Sequence, residues 1–109
     1  MTVKSAGLVP GTLDMLILKT LALEPVHGYG IAQHIEQISQ GVFAVNPGSL
    51  FPAFKRLERE GWIKPMWKDT GHNRRAKYYA LTARGRKQLA SETESWGRQS
   101  AAIARILEA

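Results

Sequence analysis

The residues of this chain best suited to binding chemistry are Lys and Arg, and they are concentrated in one stretch. Residues 46–88 hold 11 Lys or Arg and 3 Asp or Glu, a net charge of +8, whereas residues 1–45 and 89–109 each carry −1. Cationic side chains clustered on one segment are typical of a surface that contacts phosphate groups. A net charge of +6 and a pI near 10.0 for the whole chain agree with a polyanionic partner.

Other kinds of reactive site find little support in the residues. His27, His34 and His72 match no zinc-binding spacing, and the chain has no Cys, so we expect no metal ion and no cofactor. The two glycines after His27 lack the third glycine of a dinucleotide-binding fingerprint. No nucleophile-elbow motif supports a triad of Ser, His and an acid. The sequence therefore predicts a protein that is not an enzyme.

The size and composition of the chain favour one globular domain. It has 109 residues, of which 44% are hydrophobic and 22% charged. We expect a single domain over residues 1–109, with a main part over about 11–82 and a last helix over 83–108. No run of 18 apolar residues predicts a membrane span, and the first residues lack the apolar segment of an export signal. We therefore expect a cytoplasmic protein with no membrane partner.

Two helical segments open the chain. The first begins near Thr12 and is apolar almost all round, so it needs cover on more than one side. A second subunit is a candidate for part of that cover, through Leu13, Leu16 and Ile17. The second helix is predicted over residues 29–39. Its inner face is expected to consist of Ile31, Ile35 and Ile38.

The third helix has two contrasting faces. Asn46 is the predicted N-cap, Pro47 suits the first helical position, and Gly61 marks the end of the helix after Glu60. Residues three or four apart form an apolar face, namely Leu50, Ala53, Phe54 and Leu57. The opposite face carries Gly48, Pro52, Lys55 and Arg59, with Phe51 and Arg56 at its margins.

After Gly61 the pattern changes from helical to extended. Residues 62–68 predict a strand, residues 69–73 a loop, and residues 74–81 a returning strand. Thr82 then caps a last helix that reaches about Leu107. Apolar residues on this helix recur about every seven positions, as in a coiled-coil seam. They predict a dimerisation surface formed by Leu89, Trp96, Ile103, Ile106 and Leu107.

The order of these elements predicts a mostly α fold with a small β-hairpin wing, a winged helix-turn-helix followed by a C-terminal dimerisation helix. A helix about 10–12 Å across fits the major groove of B-DNA, which is about 12 Å wide. We therefore expect the chain to bind double-stranded DNA as a homodimer. The predicted groove contacts are Pro52, Lys55, Arg56 and Arg59. The predicted phosphate contacts are Ser49, Arg74, Arg75 and Lys77. Tyr29 and Phe51 complete the predicted set of DNA-binding residues.

Several roles stay open on the residues alone. Tyr29 is either a core residue or a phosphate contact. Trp96, on the residues alone, is assigned to the dimer core. A winged helix can also serve as a protein-interaction module or bind RNA.

Four segments of the chain resemble PadR-type transcriptional regulators. They are residues 27–30 (HGYG), 48–53 (GSLFPA), 56–63 (RLEREGWI) and 74–82 (RRAKYYALT), the last followed by a Gly-Arg pair. The resemblance extends over residues 11–107. It implies a homodimeric repressor of the short subfamily, acting at a pseudo-palindromic operator, whose C-terminal helix packs against the first helix of its partner.

The resemblance also bears on two aromatic residues. It allows an effector site between subunits in which Trp96 takes part. At the position of Phe51 the family usually has Tyr, so the aromatic ring is kept for packing while the hydroxyl that could bond a phosphate is missing.

Overall fold

The structure, a computed structural model, describes residues 12–72 and 74–109. Expectations about the first eleven residues and about Asn73 in the hairpin loop lie outside this part of the chain. The elements follow in the order α1 (Thr12–Leu23), β1 (Val26–His27), α2 (Gly28–Ile38), α3 (Pro47–Arg59), β2 (Ile63–Asp69), β3 (Arg75–Leu81) and α4 (Ala83–Glu108). The predicted fold class is confirmed, because a helical body carries a β-hairpin wing and ends in a long helix. Across the described ranges, no helix is long and apolar enough to cross a membrane.

The hydrophobic core lies where α1, α2 and α3 meet the base of the hairpin. From α3 it receives the whole predicted apolar face, Leu50, Ala53, Phe54 and Leu57, each at most 1% exposed. The Phe54 ring packs on the Tyr79 ring of β3, with ring centroids 4.5 Å apart. The two-faced character predicted for α3 is therefore confirmed.

Two isoleucines lie elsewhere than their helical spacing suggested. Ile17, expected at a dimer surface, is fully buried in the core of its own chain and has no surface left for a partner. Ile38, expected on the inner face of α2, is 72% exposed. It belongs to the last turn of α2, at the edge of the core that covers Ile31 and Ile35. Both expectations are wrong. Helical periodicity identifies an apolar face, but it does not show which residues of that face are covered by the core of the chain.

A short strand, which the sequence did not predict, precedes α2. Val26 and His27 pair antiparallel with Tyr79 and Tyr78, which makes β3 the central strand of the sheet order β1-β3-β2. His27 also caps α2, because its Nδ1 accepts a hydrogen bond of 3.1 Å from the N–H of Gly30. One residue thus joins the start of α2 to the central strand of the wing.

The wing is a regular antiparallel hairpin. Its register runs from Ile63 opposite Leu81 to Asp69 opposite Arg75. Three of the four strand ends lie one residue from the predicted bounds, and Leu81 ends β3 as predicted. The loop is closed by the N–H of Thr70, which donates to the carbonyl of Arg74 at 2.9 Å. The predicted strand pair is confirmed.

The base of the hairpin and the start of α4 share one tight junction. Thr82 is the N-cap of α4, as predicted, and its Oγ1 accepts a hydrogen bond of 3.0 Å from the N–H of Gly85. The same hydroxyl donates to the carbonyl of Gly61 at 2.6 Å, and the Thr82 N–H donates to the carbonyl of Trp62 at 3.1 Å. Gly85 approaches so closely that a Cβ there would lie 2.0 Å from the carbonyl oxygen of Trp62. The end of α3, the sheet and α4 are therefore held in fixed relation.

Candidate nucleic-acid interface

The polar face of α3 is open to solvent. Pro52, Lys55 and Arg59 are all exposed, on the side of the helix opposite the buried apolar face. Because they are spaced three and four residues apart, they project in the same direction over two helical turns. An ammonium and a guanidinium group are thus presented together by a helix that the core holds in place.

At the start of α3 the backbone donors are partly occupied. Asn46 is the N-cap, and its Oδ1 accepts a hydrogen bond of 2.9 Å from the N–H of Ser49. The cap satisfies the amide N–H of Ser49, so this donor is not free for a phosphate. The Ser49 residue itself is exposed, so its hydroxyl is the group available to a ligand.

Arg56 does not point with Lys55 and Arg59. Its guanidinium forms an ion pair with Asp14 of α1, in which Nε donates to Oδ2 at 3.3 Å and Nη2 donates to Oδ1. The hydrogen bond to Asp14 raises the pKa of Arg56 above its ordinary value, with a further contribution from the charge of Asp14. The Nε–Nη2 edge of the guanidinium is thus engaged within the chain, and the groove contact of Arg56 stays a prediction.

Aromatic rings connect the exposed surface with the core. Tyr29 is 64% exposed, so it is not a core residue, and its ring lies edge-on to Phe51 at 6.3 Å between centroids. Phe51 in turn contacts Phe54 at 6.0 Å, and Phe54 packs on Tyr79. Phe51 therefore supports Tyr29 from within α3, which is the packing role that an aromatic ring can fill without a hydroxyl.

The cations of the wing are held by neighbouring side chains. The Arg75 guanidinium lies over the Trp67 ring at 5.3 Å, and the Lys68 ammonium lies over the Tyr78 ring at 4.6 Å. Lys68 was not singled out from the sequence, although its position just before the loop was a usable signal. These cation–π contacts restrict the cations while leaving them exposed.

Lys77 joins the wing to α3. Its ammonium lies 3.7 Å from a carboxylate oxygen of Glu58 and 5.3 Å above the Tyr79 ring. Arg74, at the end of the loop, is exposed. Glu58 is a residue that the sequence did not indicate, because an acidic side chain within a basic stretch gives no sign of which cation it holds.

A cleft of about 530 Å³ separates the start of α2 and α3 from the wing. It brings together three of the predicted contacts, Tyr29, Phe51 and Lys77. Its other lining residues include His27, Thr70 and Tyr78. The cleft is open, largely aromatic, and has one ammonium group at its wall, a combination suited to the sugar–phosphate backbone of a nucleic acid.

The predicted dimerisation residues fall into two groups. Leu13 and Leu16 on α1 and Leu89 on α4 are half-buried against the core. Farther along α4, four large apolar side chains are exposed: Trp96 at 37%, and Ile103, Ile106 and Leu107 at 50% or more. The second half of α4 therefore carries an apolar row that the described residues leave exposed.

Glu92 lies between these two groups on α4. Its Oε2 is buried without a hydrogen-bond partner among the described residues, while Oε1 accepts a hydrogen bond from Gln88 at 3.2 Å. Burial raises the pKa of the Glu92 carboxyl, the Gln88 bond opposes this, and the charge of Asp14 adds to the rise. Glu92 and Asp14 thus belong to one electrostatic cluster at the meeting of α1 and α4.

Comparison with solved structures finds the same fold in regulators of transcription. A transcriptional regulator from Clostridium thermocellum matches with a TM-score of 0.80 and 28% identity, over 87% of this chain and 92% of that one. A PadR-like transcriptional regulator from Bacillus cereus matches with a TM-score of 0.79 and 28% identity, over 91% and 94% of the two chains. Both are regulators rather than enzymes.

Comparison of sequences gives the same result. The transcriptional regulator YqjI of Escherichia coli is 30% identical over 84 residues, which are 77% of this chain and 39% of that relative. The chain thus spans about two fifths of the length of YqjI. The family model described as the transcriptional regulator PadR-like family matches residues 17–91. The match includes α3 and the whole wing, and the chain belongs to the PadR-like family of transcriptional regulators.

Proposed function

We propose that the chain is a sequence-specific, homodimeric DNA-binding repressor that acts at a pseudo-palindromic operator. One observation carries the proposal: α3 is fixed by a buried face and presents Pro52, Lys55 and Arg59 beside a cationic wing. Membership of a family of transcriptional regulators supports a DNA-binding function for this surface. With this function we also propose a cytoplasmic location.

In this proposal the cations divide into two classes. Lys55 and Arg59 lie in the major groove, where an Arg that contacts guanine contributes about 1–3 kcal/mol of discrimination. Ser49, with the wing cations, contacts phosphates and sets the register without reading sequence. The phosphate-binding wing residues are Arg74, Arg75 and Lys77. Tyr29, supported by Phe51, lies against the sugar–phosphate backbone in the aromatic cleft.

The proposed dimer interface lies along α4 and α1. The exposed apolar row of α4 supports this assignment, because a soluble single chain gains nothing from four large apolar side chains in water. A twofold axis there would present two copies of α3, and half-sites one helical turn apart require these to lie about 34–36 Å from each other. Trp96, in the middle of the row, is the proposed stacking wall for an aromatic effector between the subunits.

The test begins with selection of bound sites from random duplex DNA by the purified protein. The variant Lys55→Ala/Arg59→Ala is then compared with Arg98→Ala/Arg105→Ala, which removes the same charge from α4. We expect the α3 variant to lose at least tenfold in specific affinity, from the worth of a single base contact of about 1–3 kcal/mol, and the α4 variant to change little. Sedimentation checks that both variants keep the mass of the parent protein.

The salt dependence of binding separates DNA recognition from other roles. A DNA-binding surface should give a slope of log affinity against log salt near −0.9 for each phosphate neutralised. It should also favour the selected site over random duplex by about 10³-fold or more. If the two double variants bind the selected site with equal affinity, the assignment of α3 to the major groove is wrong. A flat slope with duplex DNA would instead favour a protein-interaction module, and preference for RNA an RNA-binding one.

A further inference from the structure

The ion pair between Asp14 and Arg56 connects two parts of the fold with different proposed tasks. Asp14 lies in the first turn of α1, a helix assigned to the dimer interface, and Arg56 lies in the last turn of α3, the helix assigned to the groove. The residues are 42 positions apart in sequence. The pair is bidentate, the arrangement in which Arg and a carboxylate fix each other's orientation as well as their distance.

The surroundings distinguish this pair from an ordinary surface ion pair. The side chain of Asp14 is 15% exposed and that of Arg56 is 45% exposed, so the carboxylate depends largely on the guanidinium for solvation. Without Arg56, the largely buried Asp14 carboxylate would lose its ion-pair partner, a situation that costs more than the loss of an exposed pair. The free energy of the ion pair therefore favours the position of the Arg56 guanidinium beside Asp14.

The position of Arg56 on α3 gives the pair a directional effect. Arg56 follows Lys55 directly and precedes Arg59 by three residues, so an anchor at Arg56 constrains the end of the helix that carries both. The core fixes the same helix through Phe54 and Leu57, on an adjoining face. The ion pair adds the attachment to α1, and through α1 to the surface on which a second subunit is proposed to lie.

We propose that Asp14 is a positioning residue for operator recognition, which acts by holding Arg56 against α1. It sets the orientation of α3 relative to the dimer axis, and it keeps Arg56 from reading bases. This inference rests on the proposed function, because it concerns how two recognition helices are placed on one operator. Its consequence is that loss of Asp14 reduces the preference for the correct half-site spacing more than it reduces general attraction to DNA.

The main test uses Asp14→Asn, which keeps the shape of the side chain and removes its charge. Affinity is measured for the selected operator, for random duplex, and for operators with one base pair added or removed between the half-sites. We expect the ratio of specific to non-specific affinity to fall by about tenfold, within the range of couplings known for contacting residues. Non-specific affinity should stay equal or rise, because the released Arg56 adds a free cation.

A double-mutant cycle shows whether Asp14 acts through Arg56. The ratio of specific to non-specific affinity should fall to the same extent in Asp14→Asn, in Arg56→Met and in the double variant, because each removes the same contact. If Arg56 reads a base, Arg56→Met will reduce the ratio further in the Asp14→Asn background, and the inference is overturned. If Asp14→Asn is not folded at the assay temperature, Arg56→Met alone carries the spacing test, with the same expected result.

The controls separate this inference from simple destabilisation and from the proposed function. A variant that is only less stable loses affinity equally for all spacings, whereas a loosened α3 flattens the spacing preference. The charge-swapped variant Asp14→Arg/Arg56→Asp should recover part of the parent ratio by restoring the pair. An unchanged ratio and spacing preference in Asp14→Asn contradicts the inference alone. Absence of any specific site for the parent protein contradicts the proposed function instead.

Discussion

The substitution Gly85→Ala should destabilise this protein, although glycine-to-alanine changes within helices usually do the opposite. Alanine in a helix is favoured over glycine by about 0.5–1 kcal/mol, because glycine loses more backbone freedom on folding. At Gly85, however, the added Cβ would lie 2.0 Å from the carbonyl oxygen of Trp62 and 2.6 Å from Cδ1 of Leu81. The first of these neighbours is backbone, which cannot rotate away.

The magnitude follows from these opposing effects. Overpacking by one methyl group typically costs about 1–3 kcal/mol, and occasionally more where the neighbour is rigid. A contact of 2.0 Å with backbone belongs at the upper end of that range. After the gain in helix propensity is subtracted, the free energy of unfolding should fall by about 2 kcal/mol or more. For a domain of this size, a loss of 1 kcal/mol lowers the melting temperature by about 4–8 °C.

The matched control is Gly97→Ala in the same helix. Among the residues that the structure describes, no heavy atom would lie within 4 Å of a Cβ at Gly97. Only the propensity gain then applies, and the protein should be stabilised by about 0.5–1 kcal/mol. Urea unfolding at several protein concentrations measures both changes and corrects for any association. If Gly85→Ala proves as stable as the parent protein, the close contact between α4 and the hairpin base is not as described.

Three further predictions concern α4 and its junctions. Thr82→Ala should cost about 1–2 kcal/mol in urea unfolding, because it removes the cap of α4, whereas Thr82→Ser should keep most of that stability; equal losses for both would contradict the role of the hydroxyl. Glu92→Gln should stabilise the protein at pH 7 by less than about 1 kcal/mol, given its partial exposure, and have no such effect below the ordinary Glu pKa of 4.5. The direction of this change follows from the raised pKa of the Glu92 carboxyl, because the stability that the protonated form provides is lost as pH rises through the pKa of the folded state. A variant less stable than the parent protein at pH 7 would show that the charged form of Glu92 is favoured. Trp96→Glu should shift the protein to monomers in sedimentation while its helical circular dichroism persists, and an unchanged mass would exclude Trp96 from the interface.

The elements that the sequence predicted best are those whose signals are local. Asn46 and Thr82 were identified as N-caps because a cap lies three residues from the amide that it satisfies. The two faces of α3 follow from a period of 3.6 residues, which is also local. His27 escaped notice as a cap, since an imidazole acceptor is not among the side chains usually found at that position.

What the sequence could not predict depends on residues far apart in the chain. The two-residue strand β1 exists only because β3, more than fifty residues later, offers it an edge. The engagement of Arg56 depends on Asp14, whose side chain had a sufficient local explanation at the start of a helix. The positive charge of the stretch was therefore a sound guide to the surface, but not to which of its cations are free.

The order of the strands affects the tendency of the protein to aggregate through the edges of its sheet. A sheet edge with unpaired backbone groups can template the addition of a foreign strand, and so begin aggregation. Here one edge is β1, which at two residues is too short to template much. The other is β2, which carries exposed Lys64 and Lys68 and lacks one backbone donor at Pro65. The hairpin thus stays exposed at the surface of the protein, while neither edge of its sheet favours pairing with a strand from another molecule.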